Sequence, residues 1–326
     1  MREIKYLEAL REGFAAGMRK DPDSFMAGEG IGARGGSFAH TKGLYEEFGP
    51  ERVLDMPISE SAFVGMCAGA AACGSRAIAD LMYFDFITLA MDQIVNQAAK
   101  IRYISGGQFS MPMTINAIFG IYHSAGTHHS QTFYPWFINT PGIKVVIPST
   151  PYDVKGLLAS AIIDDNLVLV LEHRGLLNIK GEVPEEDYFL TLGEAKVVKE
   201  GTDVTIVATG LMVHQALKSA EVLAGKGVKA EIIDLRTLVP LDEKTVIDSV
   251  KKTHRLLIVD EGYGPCGVGA EITAVVQSKA FDFLDAPVSR LQTLSVPIPY
   301  SPPLEQYVIP DVDKIVSAVS DILGGL

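Results

Sequence analysis

Glu60 stands in Pro57-Ile58-Ser59-Glu60, directly before a small-residue stretch, 61–73, that reads as a helix. A carboxyl at such a strand-to-helix turn, flanked by apolar side chains, has its charged form disfavoured by desolvation. Holding or sharing a proton, it can donate to a heterocyclic nitrogen. A first-turn carboxylate can equally do no more than satisfy the helix dipole. His123, His128 and His129 cluster in the loop-like segment 121–131. Adjacent histidines point in different directions, so a shared metal is disfavoured. One acid–base histidine over a site and a set of solvated loop residues are the two readings. Gly28-Glu29-Gly30-Ile31-Gly32, with Gly35-Gly36 behind it, lacks the apolar helix that a dinucleotide fingerprint needs. The glycines of 262–269 do precede a helix and read as a tight turn with close packing. No G-x-x-x-x-G-K-[ST] occurs, which excludes P-loop chemistry. Asp164-Asp165-Asn166 offers oxygens to a hard cation or makes a helix-to-strand turn. Tyr83, Phe84 and Phe86 flank Asp85, as core or as a face for a flat ligand.

Positioning these groups requires strands that alternate with helices. Apolar strand-like runs fall at 77–84, 112–118, 143–147 and 167–171, with helical spacing at 87–103 and 152–163. A polar, Pro-containing stretch, Lys180-Gly181-Glu182-Val183-Pro184-Glu185-Glu186-Asp187, has linker composition. Beyond it, strands at 204–208, 230–233 and 256–259 alternate with helices at 213–224, 242–250 and 270–279, with Asp242 as an N-cap. Both halves therefore read as α/β, doubly wound, with parallel sheets. The expected boundaries are 1–176, a linker at 177–193, and 194–326. Sites in such sheets lie at the carboxyl ends of strands, here Glu60, Asp85, Glu172 and Asp260-Glu261.

The composition agrees with this organisation. The chain has 326 residues, 48% of them hydrophobic, enough for a full core. Its net charge of −12 leaves no cationic footprint for nucleic acid. Three cysteines, none in a C-x-x-C pair, argue against a disulfide framework or a zinc site and for a reducing compartment. The first 20 residues read as an amphipathic helix (Ile4, Leu7, Leu10, Phe14), and no apolar run approaches a membrane span. A cytoplasmic protein is expected.

Several motifs, in order along nearly the whole chain, resemble the beta subunit of the thiamine-diphosphate-dependent first component of 2-oxo acid dehydrogenase complexes. They are Met56-Pro57-Ile58-Ser59-Glu60-Ser61-Ala62-Phe63-Val64-Gly65, Asp92-Gln93-Ile94-Val95-Asn96-Gln97, His129-Ser130-Gln131, Pro148-Ser149-Thr150-Pro151-Tyr152-Asp153, Ile233-Asp234-Leu235-Arg236-Thr237-Leu238 and Pro297-Ile298-Pro299-Tyr300. The stretches 61–65 and 81–86 look most like the acetoin dehydrogenase branch. The resemblance implies a pyrimidine-binding domain followed by a transketolase C-terminal-like domain. It implies that Glu60 meets a ring nitrogen of the cofactor's aminopyrimidine and controls its proton. Phe86 then lies beside that ring, and Glu29, Ile58 and Met82 line the pocket. His129 matches the histidine that serves acyl transfer to a lipoyl group. Met113, Ala161, Ile162, Asp164 and Asn166 match a potassium site built largely from backbone oxygens.

The resemblance also implies partners. The family's magnesium and diphosphate are held by a G-D-G…N motif on an alpha subunit, and this chain contains no Gly-Asp-Gly. An alpha partner in an α2β2 assembly, a lipoyl acyltransferase core protein, and a small 2-oxo acid or acetoin as substrate follow as expectations. Asn116 departs from the pattern, standing where many relatives carry an arginine, and the loop after it is poorer in glycine. Two other readings stay open. A split transketolase or deoxyxylulose-phosphate synthase half would need basic groups for a sugar phosphate. A non-catalytic beta-like scaffold would bind a partner and turn nothing over.

Overall fold

A computed structural model describes residues 1–324. Strands and helices alternate and gather into two compact units. The first comprises Met1–Phe119 and Trp136–Leu192; the second comprises Gly120–Pro135 and Gly193–Leu326. Gly120–Pro135 groups with the second unit, whereas the sequence places a single crossing at 177–193.

In the first unit the parallel strands run in the order Ile143–Val146, Leu167–His173, Met113–Phe119, Ala77–Tyr83, Phe25–Gly28 and Val53–Asp55. Met113–Phe119 and Leu167–His173 are buried along their whole length. That is why they read as continuous apolar runs rather than alternating ones. Helix Tyr6–Lys20 lies close on helix Pro151–Ile163. A Cβ at Gly17 would stand 2.7 Å from the Ile162 side chain, so only glycine permits that approach. The segment expected as one helix at 87–103 is helical throughout but changes type along its length. Phe84–Ala90 is a 3₁₀ helix, Asp92–Ala98 is π-helical, and Ala99–Ile104 is an α-helix.

The polar stretch after the sheet is not a free linker. Lys180–Val183 pairs antiparallel with Arg2–Lys5. The buried Lys155 ammonium donates to the carbonyls of Pro184, Glu185 and Glu186 at 2.8, 3.3 and 3.0 Å, and pairs with Glu12 at 3.0 Å. A buried ammonium needs such partners, since desolvation of an unpaired charge is costly.

In the second unit the order is Ser289–Thr293, Leu256–Tyr263, Val204–Ala208, Ala230–Asp234 and Lys196–Lys199, the last antiparallel. Helices Leu211–Gly225 and Val312–Ile322 cover one face through Val213, Leu223, Ile315 and Val319. Asp242 caps helix Glu243–Thr253, accepting from the Thr245 N–H at 3.0 Å. Among the described residues no helix is long and apolar enough to cross a membrane, and Cys67, Cys73 and Cys266 are free thiols.

Candidate active site

Three adjacent strands of the first unit end side by side. Their register places Gly28 opposite both Asp55 and Asp80. Just past those ends come Glu29, the segment with Ile58 and Glu60, and Phe86, while Met82 is the next-to-last residue of its strand. The fold thus delivers the five expected pocket residues to one sheet edge, at the carboxyl ends where doubly wound sheets bind ligands.

Glu60 opens helix Glu60–Ala72 and is only 6% exposed. Glu29 accepts from the Ser59 N–H. Its Oε1 is buried without a hydrogen-bond partner. Burial pushes the Glu29 carboxyl above its ordinary value, and the charges of Glu60 and Asp80 push it further; the Ser59 N–H offsets part of this. Around them stand Ile58, 85% exposed, and the half-buried Phe86, edge-on to Tyr83 at 5.9 Å. Met82 has a left-handed backbone, φ 59°. An aminopyrimidine ring presents a basic nitrogen, an amino donor and two apolar faces. Paired carboxyls, an orphaned acceptor and apolar walls fit it.

His129 belongs to the second unit and is partly exposed. Its segment is tied down on both sides. The Ile121 N–H donates to the Glu261 carboxylate, the Ser124 N–H to Glu305 at 2.8 Å, and the Thr127 hydroxyl to the Ile298 carbonyl at 3.1 Å. The Tyr134 hydroxyl donates to Asp260. Burial pushes the Tyr134 phenol well up, and the Asp260 charge adds to it. Ile121 packs with Ile298 and Val308. The Pro297-Ile298-Pro299-Tyr300 motif therefore anchors the histidine segment, and the Asp260-Glu261 strand end serves the same purpose. His123 and His128 are exposed.

The five residues expected to hold potassium lie at the opposite, amino ends of the strands. Met113 starts its strand, and Ala161 to Asn166 precede Leu167–His173. Asp164 spends its carboxylate on an Asx turn with Asn166, at 2.9 and 2.8 Å, and on an ion pair with Lys144. Arg76 donates to the carbonyls of Ile162 and Asp164 at 3.0 and 2.6 Å, and the Thr114 hydroxyl donates to that of Ala161 at 3.0 Å. The Arg76 guanidinium thus lies at this oxygen cluster, a contact between residues far apart in sequence. Nearby, a groove of about 870 Å³ is lined by Tyr103, Ile104, Met111, Pro141 and Leu167 among others, with no carboxylate.

The glycines of 28–36 pack rather than bind phosphate. A Cβ at Gly28 would meet the Asp80 carbonyl at 2.7 Å, and one at Gly36 would meet the His40 ring at 2.5 Å. His40 Nε2 lies 2.7 Å from Asp80 Oδ2, and Asn116 donates to Asp80 Oδ1 at 3.2 Å. Burial alone would raise the Asp80 carboxyl. The His40 charge and hydrogen bond, with the Asn116 and Met82 N–H groups, hold it below its usual range.

Glu172, fully buried with neither oxygen hydrogen-bonded, is pushed far up by burial and by the Asp80 charge. In the folded chain it keeps its proton above the ordinary glutamate range, where the unfolded chain has lost it. The unfolded state then binds fewer protons, so stability falls as pH rises. Glu172→Gln removes that fall. Urea unfolding at several pH values should show the variant gaining about 1.4 kcal/mol on the wild type per pH unit above that range. Parallel curves would remove the neutral-carboxyl assignment.

The chain matches two family models, "Transketolase, pyrimidine binding domain" over residues 2–180 and "Transketolase, C-terminal domain" over 193–315. It is 46% identical to the acetoin:2,6-dichlorophenolindophenol oxidoreductase subunit beta of Cupriavidus necator, covering 99% of this chain and 98% of that one. It is 42% identical to the 2-oxoisovalerate dehydrogenase subunit beta of Bacillus subtilis, covering 99% of each. The pyruvate dehydrogenase E1 component subunit beta of Chaetosphaeridium globosum is 42% identical, again over 99% of each. Among solved structures, "Split gene transketolase, inactive beta4 tetramer" matches with a TM-score of 0.81 and 22% identity over 98% of each chain, which is a likeness of fold.

Proposed function

The chain belongs to the transketolase-like family of beta subunits of thiamine-diphosphate-dependent acetoin and 2-oxo acid dehydrogenases, and on that premise we propose how its residues divide the work. With an alpha subunit it cleaves the bond beside a carbonyl and passes the acyl group to a lipoyl carrier. When bound, thiamine diphosphate supplies the nucleophile and the electron sink. Glu60 holds a proton at the pyrimidine ring nitrogen, and Glu29 receives a donor at its orphaned oxygen. Phe86, Met82 and Ile58 orient the ring and exclude water. His129 gives and takes the proton of acyl transfer.

The observation that carries this reading is the buried Glu60 carboxyl beside the partly buried Glu29, whose charges interact, at the carboxyl ends of adjacent strands. Acetoin is the first substrate to try, because the relatives named for acetoin reach 43% and 46% identity. The missing Gly-Asp-Gly supports an alpha subunit that holds the diphosphate and magnesium. Exposed Tyr103, Ile104 and Phe109 beside the apolar groove support burial of that face in an α2β2 assembly. No step is assigned to potassium.

Calorimetric titration of thiamine diphosphate with magnesium should show binding when this chain is mixed with its alpha partner and none when it is alone. Tight binding by this chain alone would overturn the shared site. A substrate screen of the mixture should then show turnover of acetoin above that of pyruvate.

A further inference from the structure

We propose that His40 is a positioning residue for the cofactor pocket, acting through Asp80 on the left-handed turn at Met82. The inference rests on the reading of Met82 and Phe86 as pocket residues. Its starting point is a strand that changes course. Asp80 pairs with Asn116 and Tyr83 with Ile118, so three steps on one strand match two on the other. The surplus residue makes a bulge, which re-aims the side chains beyond it. Met82 sits in that bulge at φ 59°, a left-handed conformation that is strained for a residue with a Cβ.

Something must hold Met82 there. Its N–H donates to Asp80 Oδ1 at 3.4 Å, and Oδ1 also takes the Asn116 amide. The other Asp80 oxygen takes the His40 ring at 2.7 Å. Asp80 and His40 are 2% and 0% exposed. A carboxylate so deeply buried keeps its charge, and its grip on N–H donors, when a cation or strong donor compensates it. Of the side chains bonded to Asp80, His40 is the one that can carry a positive charge.

The His40 segment is itself rigid. Gly36, at φ 79°, leaves the room the imidazole fills, with a Cβ there falling 2.5 Å from the ring. Thr41 donates to the Ile31 carbonyl at 2.9 Å, and Arg11 donates to that of Ala39 at 2.7 Å. A second link runs in parallel through rings. Phe38 meets Tyr83 edge-on at 5.1 Å, and Tyr83 meets Phe86 at 5.9 Å. Both routes lead from residues 36–41 to the pocket wall.

Asn116 supplies the test. It faces Asp80, its own Oδ1 is unpartnered, and neighbouring Glu172 has two unpartnered oxygens. An arginine at 116 would bring a cation to Asp80 from the opposite side. The full chain, assembled with its alpha partner, is compared as wild type, His40→Gln and His40→Gln/Asn116→Arg. Amide exchange is read over residues 80–86 without cofactor, and thiamine diphosphate affinity is read by calorimetry.

His40→Gln should exchange at least tenfold faster over 80–86, with helix Glu60–Ala72 unchanged, and bind cofactor about tenfold more weakly. The double variant should return both readouts to within about threefold of wild type. Unchanged exchange in His40→Gln, or no recovery in the double variant, overturns the proposal. Should His40→Gln fail to fold, a folded double variant with wild-type exchange supports the proposal, and an unfolded one overturns it. Failure of the wild-type assembly to bind cofactor removes the pocket reading, while the exchange pattern still decides whether His40 holds the Met82 turn.

Discussion

Glu60→Gln should abolish turnover of the assembled enzyme, lowering kcat by about a hundred- to ten-thousandfold, the range for losing a positioned acid–base group. The carboxamide keeps the shape and one hydrogen bond but cannot trade a proton with a ring nitrogen. The side chain is buried at the first turn of Glu60–Ala72, so water cannot readily replace it. The substitution also removes a charge beside Glu29, whose carboxyl Glu60 helps to push up. Glu29 should therefore ionise more easily in the variant. Cofactor affinity is expected to fall by less than kcat, since Phe86, Met82 and Ile58 still hold the ring. Steady-state kinetics and calorimetry on the same preparation separate the two effects. Near-normal turnover would sink the role given to Glu60. A loss confined to cofactor affinity would make Glu60 a binding group alone.

Much of this site was legible before any coordinates because its parts are local in sequence. Glu60 precedes its own helix, Phe86 follows its own strand, and strand ends can be read from apolar runs such as 167–171. The groups that escaped notice depend on long-range pairing. His40 finds Asp80 forty residues away, and nothing in Gly35-Gly36 announces that an imidazole fills the space above it. Arg76 reaches the carbonyls of Ile162 and Asp164, where a resemblance had suggested potassium. The strand Lys180–Val183 hid in a polar stretch because its partner, Arg2–Lys5, is also polar and alternately exposed. No apolar run marks such a ribbon, and the signal lies in main-chain hydrogen bonds that every residue can make. The C-terminal helices Pro302–Val308 and Val312–Ile322 were also unread, yet the first supplies Glu305 to the histidine segment.

That anchoring decides the second large effect. His129→Ala should lower acyl transfer to a lipoyl acceptor by about a hundred- to ten-thousandfold, while oxidation of substrate by an artificial dye acceptor stays within a few-fold of wild type. The dye takes electrons without needing a proton placed at a thiol, so the two acceptors report different steps. The alanine variant is expected to keep its loop. Glu261, Glu305, Ile298 and Asp260 hold the segment through Ile121, Ser124, Thr127 and Tyr134, and these contacts do not involve the His129 ring. Glu305→Gln weakens one charge-assisted anchor and leaves the imidazole in place. It should slow lipoyl transfer by less than tenfold, raising KM for the acceptor more than it lowers kcat. Equal losses with both acceptors in His129→Ala would place the histidine in the cleavage step. No loss with either would remove it from the chemistry, leaving the segment as an anchored loop of the second unit.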